Sequence, residues 1–281
     1  MIHKTKKIKN FKKLNCGPKT DLSYSCYSRK HLTTLKYRWN KTYLNKKIYD
    51  NKSYNIWRTL KKHMKSICAD ERCWLKQPFI SNNLDRSLKQ HTFAPDSPKT
   101  WEKNPNTWLN SNDIINIMKQ YEHQYPNFEF LGPSPIDFDK KLGKTCVWSS
   151  LCRINIKNLL KNGKNQIGIV LNTDPHYSSG EHWICIYINL DKQYIYYFDS
   201  NADEMPIQVK TFCDRVIAQA KELNIILTQY INNTKHQMSN TECGMYVLYI
   251  IIYLLKTNRL PHFIKRIPDK KMTNLRKKLF N

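Results

Sequence analysis

The stretch His236-Gln237-Met238-Ser239-Asn240-Thr241-Glu242-Cys243-Gly244 runs directly into an apolar run, Met245–Leu255. That run predicts a helix opening at Cys243 that is apolar nearly all round, as a helix enclosed in a core must be. The N-terminus of a helix carries about half a positive charge. A cysteine placed there beside an imidazole is favoured as the thiolate, the form that attacks carbonyl carbon.

The partners that such a thiol needs lie upstream, in Gly180-Glu181-His182-Trp183 and Tyr197-Phe198-Asp199-Ser200. Residues 182–190 and 193–199 are rich in β-branched and aromatic types, which predicts two strands, and Asp191-Lys192 predicts a tight antiparallel turn between them. A turn centred near Leu190-Asp191 sets His182 opposite Asp199; one residue later makes them diagonal neighbours on the same face. Opposite residues have Cβ atoms roughly 5 Å apart and diagonal ones roughly 7–8 Å. Either register lets Asp199 hold one imidazole nitrogen while the other faces Cys243.

Gln237 stands six residues before Cys243, where its amide can join the Cys243 N–H as an oxyanion donor; Asn240, three before, is the competing amide. Each residue has a plainer reading alone: a small buried thiol, a core histidine, a turn-capping carboxylate, a solvated glutamine. Four together, in this order and on these elements, favour chemistry.

The constellation resembles the signature of the SUMO/ubiquitin-like-protein cysteine protease superfamily. His182-Trp183, Phe198-Asp199-Ser200, Gln237 and Glu242-Cys243-Gly244 carry the resemblance. Val170-Leu171-Asn172-Thr173-Asp174 brings it nearest to the viral branch, with the asfarvirus polyprotein protease and giant-virus thiol proteases, and more distantly the adenovirus maturation protease. It implies an α+β, papain-like protease core with permuted His-Asp-Gln-Cys order and a mixed, mainly antiparallel sheet on a central helix. It also implies peptide hydrolysis through an acyl-thioester after small residues, at Gly-Gly-X-like sites. By the same likeness the work is viral polyprotein processing during virion maturation, in virion and host cytoplasm, with no cofactor; DNA stimulation is an analogy with the adenovirus relative. Asp199 stands where some viral relatives have asparagine or glutamate.

A second match, Thr107-Trp108-Leu109-Asn110-Ser111-Asn112-Asp113-Ile114-Ile115, resembles the Trp-Leu-Asn-Asp-x-Ile-Ile element of SUMO proteases, with one extra residue before the aspartate. In that family this tryptophan and the one after the catalytic histidine roof a tunnel for a Gly-Gly tail. The likeness makes Trp108 and Trp183 the substrate clamp. Rival readings are SUMO or ubiquitin deconjugation, a cysteine-dependent acetyltransferase, and a basic nucleic-acid-binding virion protein with an inactive protease fold.

Composition bounds the rest. Forty-seven Lys/Arg against 22 Asp/Glu give a net charge of +25, and the first 50 residues hold 14 basic and two acidic side chains. Such a field attracts polyanions, and Tyr24, Tyr27, Tyr37, Trp39 and Tyr43 interleave it as candidate stacking groups for non-specific nucleic acid contact. Nine cysteines without metal-ligand spacing suggest free thiols in a reducing compartment. The basic N-terminus lacks a following apolar core, so no secretory signal is expected, and Met245–Leu255 is too short to span a bilayer.

Along the chain the pattern predicts a flexible basic arm over 1–20, a helical region over 21–77, a proline-containing linker over 78–107 and the protease core over 108–281. Helices are expected near 22–39, 54–67 (with Ile56, Leu60, Met64 and Ile67 on one face), 111–122 and 206–222. Strands are expected near 166–173, 182–190, 193–199 and 225–231.

Overall fold

The structure is a computed structural model and describes residues 11–18, 21–80, 88, 90–261 and 265–281. It divides into two compact units, Met1–Ser97 with Lys278–Asn281, and Pro98–Lys277. Most of the expected arm, residues 1–10 and 19–20, lies outside the described residues.

In the first unit, α1 (Arg29–Thr42) packs on α2 (Ser53–Met64). α1 begins later than residue 22 because Ser28 caps it, its Oγ accepting from His31 N at 3.1 Å. Residues 25–27 are instead tied into a turn, with Tyr27 N donating to Ser25 Oγ and Cys26 N to Glu71 Oε2. α2 buries Ile56, Leu60 and Met64, but the helix stops at Met64, so Ile67 is 55% exposed instead of joining that face.

Three more expectations are corrected in this unit. Residues 11–18 are not a loose arm: Leu14 is buried and Cys16 is bridged to Cys26. The linker reading of 78–107 fails over its first part, because Phe79, Leu88 and Phe93 sit in the same core as Trp74. Two of the aromatics read as stacking groups, Tyr27 and Trp39, are core residues, whereas Tyr37 is exposed.

Six cysteines pair as Cys16–Cys26, Cys68–Cys73 and Cys146–Cys152; Cys185, Cys213 and Cys243 are free. The expectation of free thiols throughout is therefore corrected. Pairing depends on Cα separation, here 5.1, 5.4 and 6.3 Å, which spacing in sequence does not reveal.

The second unit is built on a five-stranded sheet of β1 (Phe128–Pro135), β4 (Gln166–Asn172), β5 (Trp183–Asn189), β6 (Tyr194–Phe198) and β7 (Thr228–Ile231), in that spatial order. The small strands β2 (Lys141–Leu142) and β3 (Thr145–Cys146) form a separate ribbon. The main sheet is mixed: β4–β5 and β5–β6 are antiparallel, β1–β4 and β6–β7 parallel, so antiparallel pairing does not predominate. β1 escaped the sequence reading because Gly132, Pro133 and Pro135 within it are turn residues by composition.

β4, β5 and β6 are buried almost throughout, since helices cover both faces of the sheet. On one face α6 (Ile207–Lys221) sets Val209, Phe212, Val216 and Ala220 against Ile167, Ile169, Ile186 and Tyr197. Pro206 is the N-cap of this helix, just outside its first turn. On the other face lies α7 (Cys243–Thr257), which ends on Asn258 in the left-handed conformation. Helix α3 (Ser111–Gln124) is capped by a reciprocal Asn110–Asp113 pair, which fixes where the Trp108 segment turns into the helix, and the short helices α4 (Ser149–Cys152) and α5 (Ile156–Lys161) lie between β3 and β4 in the chain.

α7 approaches the sheet closely at Gly168, where a Cβ would lie 2.8 Å from the Phe128 ring and 3.0 Å from Ile251 Cγ2. Gly168→Ala is expected to lower stability by about 1–3 kcal/mol through overpacking. Urea unfolding measures it, and an unchanged midpoint would show that α7 has room to move.

Candidate active site

His182 is delivered by the start of β5 and Asp199 by the end of β6. Pairing of Asn189 with Tyr194 and of Cys185 with Phe198 selects the diagonal register of the two that the sequence left open. His182 Nε2 and Asp199 Oδ1 are 2.7 Å apart. Asp199 is 2% exposed, and its Oδ1 also accepts from Asn201 N at 2.8 Å. Asn232 Nδ2 donates to the Asp199 carbonyl at 2.7 Å, fixing the backbone beneath the carboxylate.

The Cys243 thiol is near enough to act on the imidazole as well. With Nε2 committed to Asp199, Nδ1 is the nitrogen left for sulfur. Burial alone disfavours the imidazolium, but hydrogen bonds to Asp199 and to Cys243, with the charges of both, outweigh it and raise the His182 pKa to about 10. Cys243 is the first residue of α7, 2% exposed, with Glu242 as N-cap. First-turn N–H groups of a helix have no intrahelical acceptor, so the Cys243 N–H is a donor for an anion at the thiol.

Gln237 is buried, and its Oε1 accepts from Ser200 Oγ at 2.9 Å. Its backbone N–H and that of His236 both donate to the Ser200 carbonyl. In this orientation the Gln237 NH2 is the end of the amide left for a developing oxyanion. Asn240 differs: its side chain is exposed and its carbonyl accepts from Trp108 Nε1 at 2.5 Å. Among the sequence-predicted site residues, Gln237 is therefore the held amide and Asn240 a rim residue.

Trp183 Nε1 donates to the Leu109 carbonyl at 2.9 Å, so both predicted tryptophans are pinned to rim backbone. They line one groove of about 570 Å³, together with Pro133, Trp148, His176 and Gly180. Gly244 lets this rim close over the helix, since a Cβ there would lie 2.9 Å from Leu109 Cβ.

The histidine nearer in sequence to Cys243 is spent elsewhere. His236 Nδ1 accepts from Ile267 N at 3.0 Å and Nε2 faces Asn232 Oδ1 at 3.2 Å, while burial and then Arg266 lower its pKa. Sequence reasoning missed Ser200 as the holder of Gln237. It stands directly after Asp199, but its partner is thirty-seven positions away. No group of three or more metal-ligating side chains occurs among the described residues, and none of their helices is long and apolar enough to cross a membrane.

His182 holds its proton more tightly folded than unfolded, so from the unfolded value of 6.5 up to about 10 the folded state binds the extra proton. The stability this contributes is present in full below 6.5 and is lost as pH rises through about 10. Urea midpoints should fall with alkaline pH more steeply for the native chain than for His182→Gln. Parallel curves would contradict the assignment.

Residues 162–281 match the model of the Ulp1 protease family, C-terminal catalytic domain. A protein named as a thiol protease in Acanthamoeba polyphaga mimivirus is 29% identical over 214 residues, covering 74% of this chain and 67% of that one. A SUMO-1 cysteine protease of African swine fever virus is 29% identical over 232 residues, 76% of this chain and 83% of the relative. The crystal structure of an African swine fever virus protease has the same fold over 95% of both chains, with a TM-score of 0.66 at 22% identity. The thiol, imidazole and carboxylate stand together at the mouth of α7, residues 162–281 are similar to a Ulp1-type catalytic domain, and the protein is a cysteine peptidase.

Proposed function

We propose that the protein is an endopeptidase that cuts after small residues, at Gly-Gly-X-like sites, and that it processes viral structural polyproteins during virion maturation. The observation that carries the chemistry is the Asp199–His182 hydrogen bond beside the buried Cys243 thiol. The likeness to viral proteases supports the setting.

In this mechanism Cys243 Sγ, as thiolate, attacks the scissile carbonyl carbon, and the carbonyl π electrons move to oxygen. The Cys243 N–H and the Gln237 amide hold that oxyanion. The His182 imidazolium gives its proton to the leaving amine nitrogen as the C–N bond breaks, leaving a thioester. Neutral His182 then takes a proton from water, whose oxygen displaces the sulfur and releases the acid. Asp199 keeps the ring in the tautomer and orientation that both proton transfers need.

Selection for small residues is attributed to Trp108 and Trp183, whose indoles are pinned to backbone carbonyls and line one groove. No cofactor is needed for these steps. Residence in the particle suits the three disulfides better than free cytoplasm, where thiols are kept reduced.

Mass spectrometry of peptide-library products is expected to show cuts after Gly-Gly with the native chain and none with Cys243→Ala. Trp108→Ala should admit larger residues before the cut. Thiol acetylation by acetyl-CoA without cleavage would refute the reading, and labelling by a SUMO vinyl sulfone in preference to Gly-Gly peptides would shift it to deconjugation.

The first unit is proposed to contact nucleic acid without sequence preference. Residues 1–97 hold 23 basic and six acidic side chains, and Tyr37 and Tyr49 are 67% and 82% exposed among them. Affinity for single-stranded DNA should fall steeply as salt rises, and Tyr37→Ala with Tyr49→Ala should weaken it by about 1–3 kcal/mol per stacked base. Equal binding by the double variant, measured by anisotropy, would remove the stacking role.

A further inference from the structure

We infer that the C-terminal helix α8 (Asp269–Leu279) sets the geometry of the active site, through Arg276 and Asp269 as positioning residues. The inference rests on the thiol–imidazole reading above and extends it to a helix that contributes no group to the chemistry.

The turn 237–242 carries the Gln237 amide and leads into Cys243, and it is anchored from α8 at both ends. At its start, Met238 N donates to the two Asp269 carboxylate oxygens at 3.2 and 3.3 Å. Asp269 is held in turn by Tyr246 Oη at 2.9 Å and by an Arg266 guanidinium N–H at 2.8 Å. At its end, Arg276 Nε donates to Glu242 Oε2 at 2.8 Å and its Nη2 to the Thr241 carbonyl at 2.9 Å.

The remaining arm of the same guanidinium crosses to the other rim: Arg276 Nη1 donates to the Thr107 carbonyl at 2.8 Å, next to Trp108. Asp269 and Arg276 are seven residues apart, two helical turns, and so share one face of α8. Arg276 is 3% exposed and Glu242 2%, and the guanidinium lies 4.7 Å from the Trp101 ring centroid.

One planar group with five donors in a fixed fork thus ties the rim bearing Trp108 to the turn bearing the oxyanion donors. Lysine, a point charge, cannot reproduce the three directions. The separation between the tryptophan rim and the Gln237–Cys243 donor pair is therefore set from α8. Glu242 is the counter-ion that lets the guanidinium be buried.

The test compares the full-length chain with Arg276→Met and with Arg276→Met/Glu242→Leu. The single variant leaves a buried carboxylate unpaired and should unfold at lower temperature; the double variant removes both charges and should recover. In the double variant, alkylation of Cys243 by iodoacetamide, which needs no tunnel, should stay near the native rate. Acylation by a Gly-Gly vinyl sulfone should fall by about tenfold or more, since small misplacements of a held substrate are costly. Hydrogen exchange over 107–109 and 238–242 should rise.

A double variant with both reagent rates and both exchange profiles native would reduce Arg276 to a stability element and overturn the inference. So would an equal fall in the two reagents, which would mean that the thiol–imidazole pair itself had moved. If the vinyl sulfone fails on the native chain while iodoacetamide succeeds, the Gly-Gly reading falls, and the exchange profiles alone decide the role of α8.

Discussion

The hydrogen bond between His182 and Asp199, 2.7 Å long and nearly out of reach of water, is the contact on which the rest of the catalytic unit depends. It commits Nε2 to a carboxylate and leaves Nδ1 for the thiol, and together with Cys243 it raises the ring's pKa to about 10 despite burial. Two antiparallel strands in the diagonal register supply it, and the close docking of α7 on the sheet at Gly168 brings the sulfur to it. A buried imidazolium without that carboxylate would lose its proton, and a thiolate beside it would lose its partner.

Around this pair the site is held by hydrogen bonds reaching across long stretches of sequence. Ser200 grips Gln237, Trp108 grips Asn240, Trp183 grips Leu109, and Arg276 grips Thr107, Thr241 and Glu242 together. Each element brought to the site thus fixes another, and little flexible backbone is left between rim and nucleophile. Preorganised donors of this kind do not have to be rearranged as charge develops on the carbonyl oxygen, which is the main electrostatic advantage of an enclosed site.

The two units differ in charge as well as in fold. Residues 1–97 carry most of the net positive charge, while the catalytic unit is far closer to balance. The first unit has its own aromatic core around Trp74, Tyr27 and Phe93 and is cross-linked by Cys16–Cys26 and Cys68–Cys73.

Much of this was legible in the chain itself, because the signals were local. The apolar run after Cys243 specified an enclosed helix, the β-branched runs around Asp191-Lys192 specified a hairpin, and the spacing across that hairpin brought His182 near Asp199 in either register. Periodicity also found α2 and α6, although their exact ends were decided by caps and turns. β1 stayed hidden because glycine and prolines within a strand read as a turn until a neighbouring strand supplies the pairing. The disulfides stayed hidden because they are set by Cα separations that only the folded chain defines. Residue types and spacing alone determined the helix, the hairpin and the nucleophile with its base. The register, the orientation of the Gln237 amide and the grip of Arg276 on both rims were decided by tertiary structure, because each joins residues whose proximity no local pattern encodes.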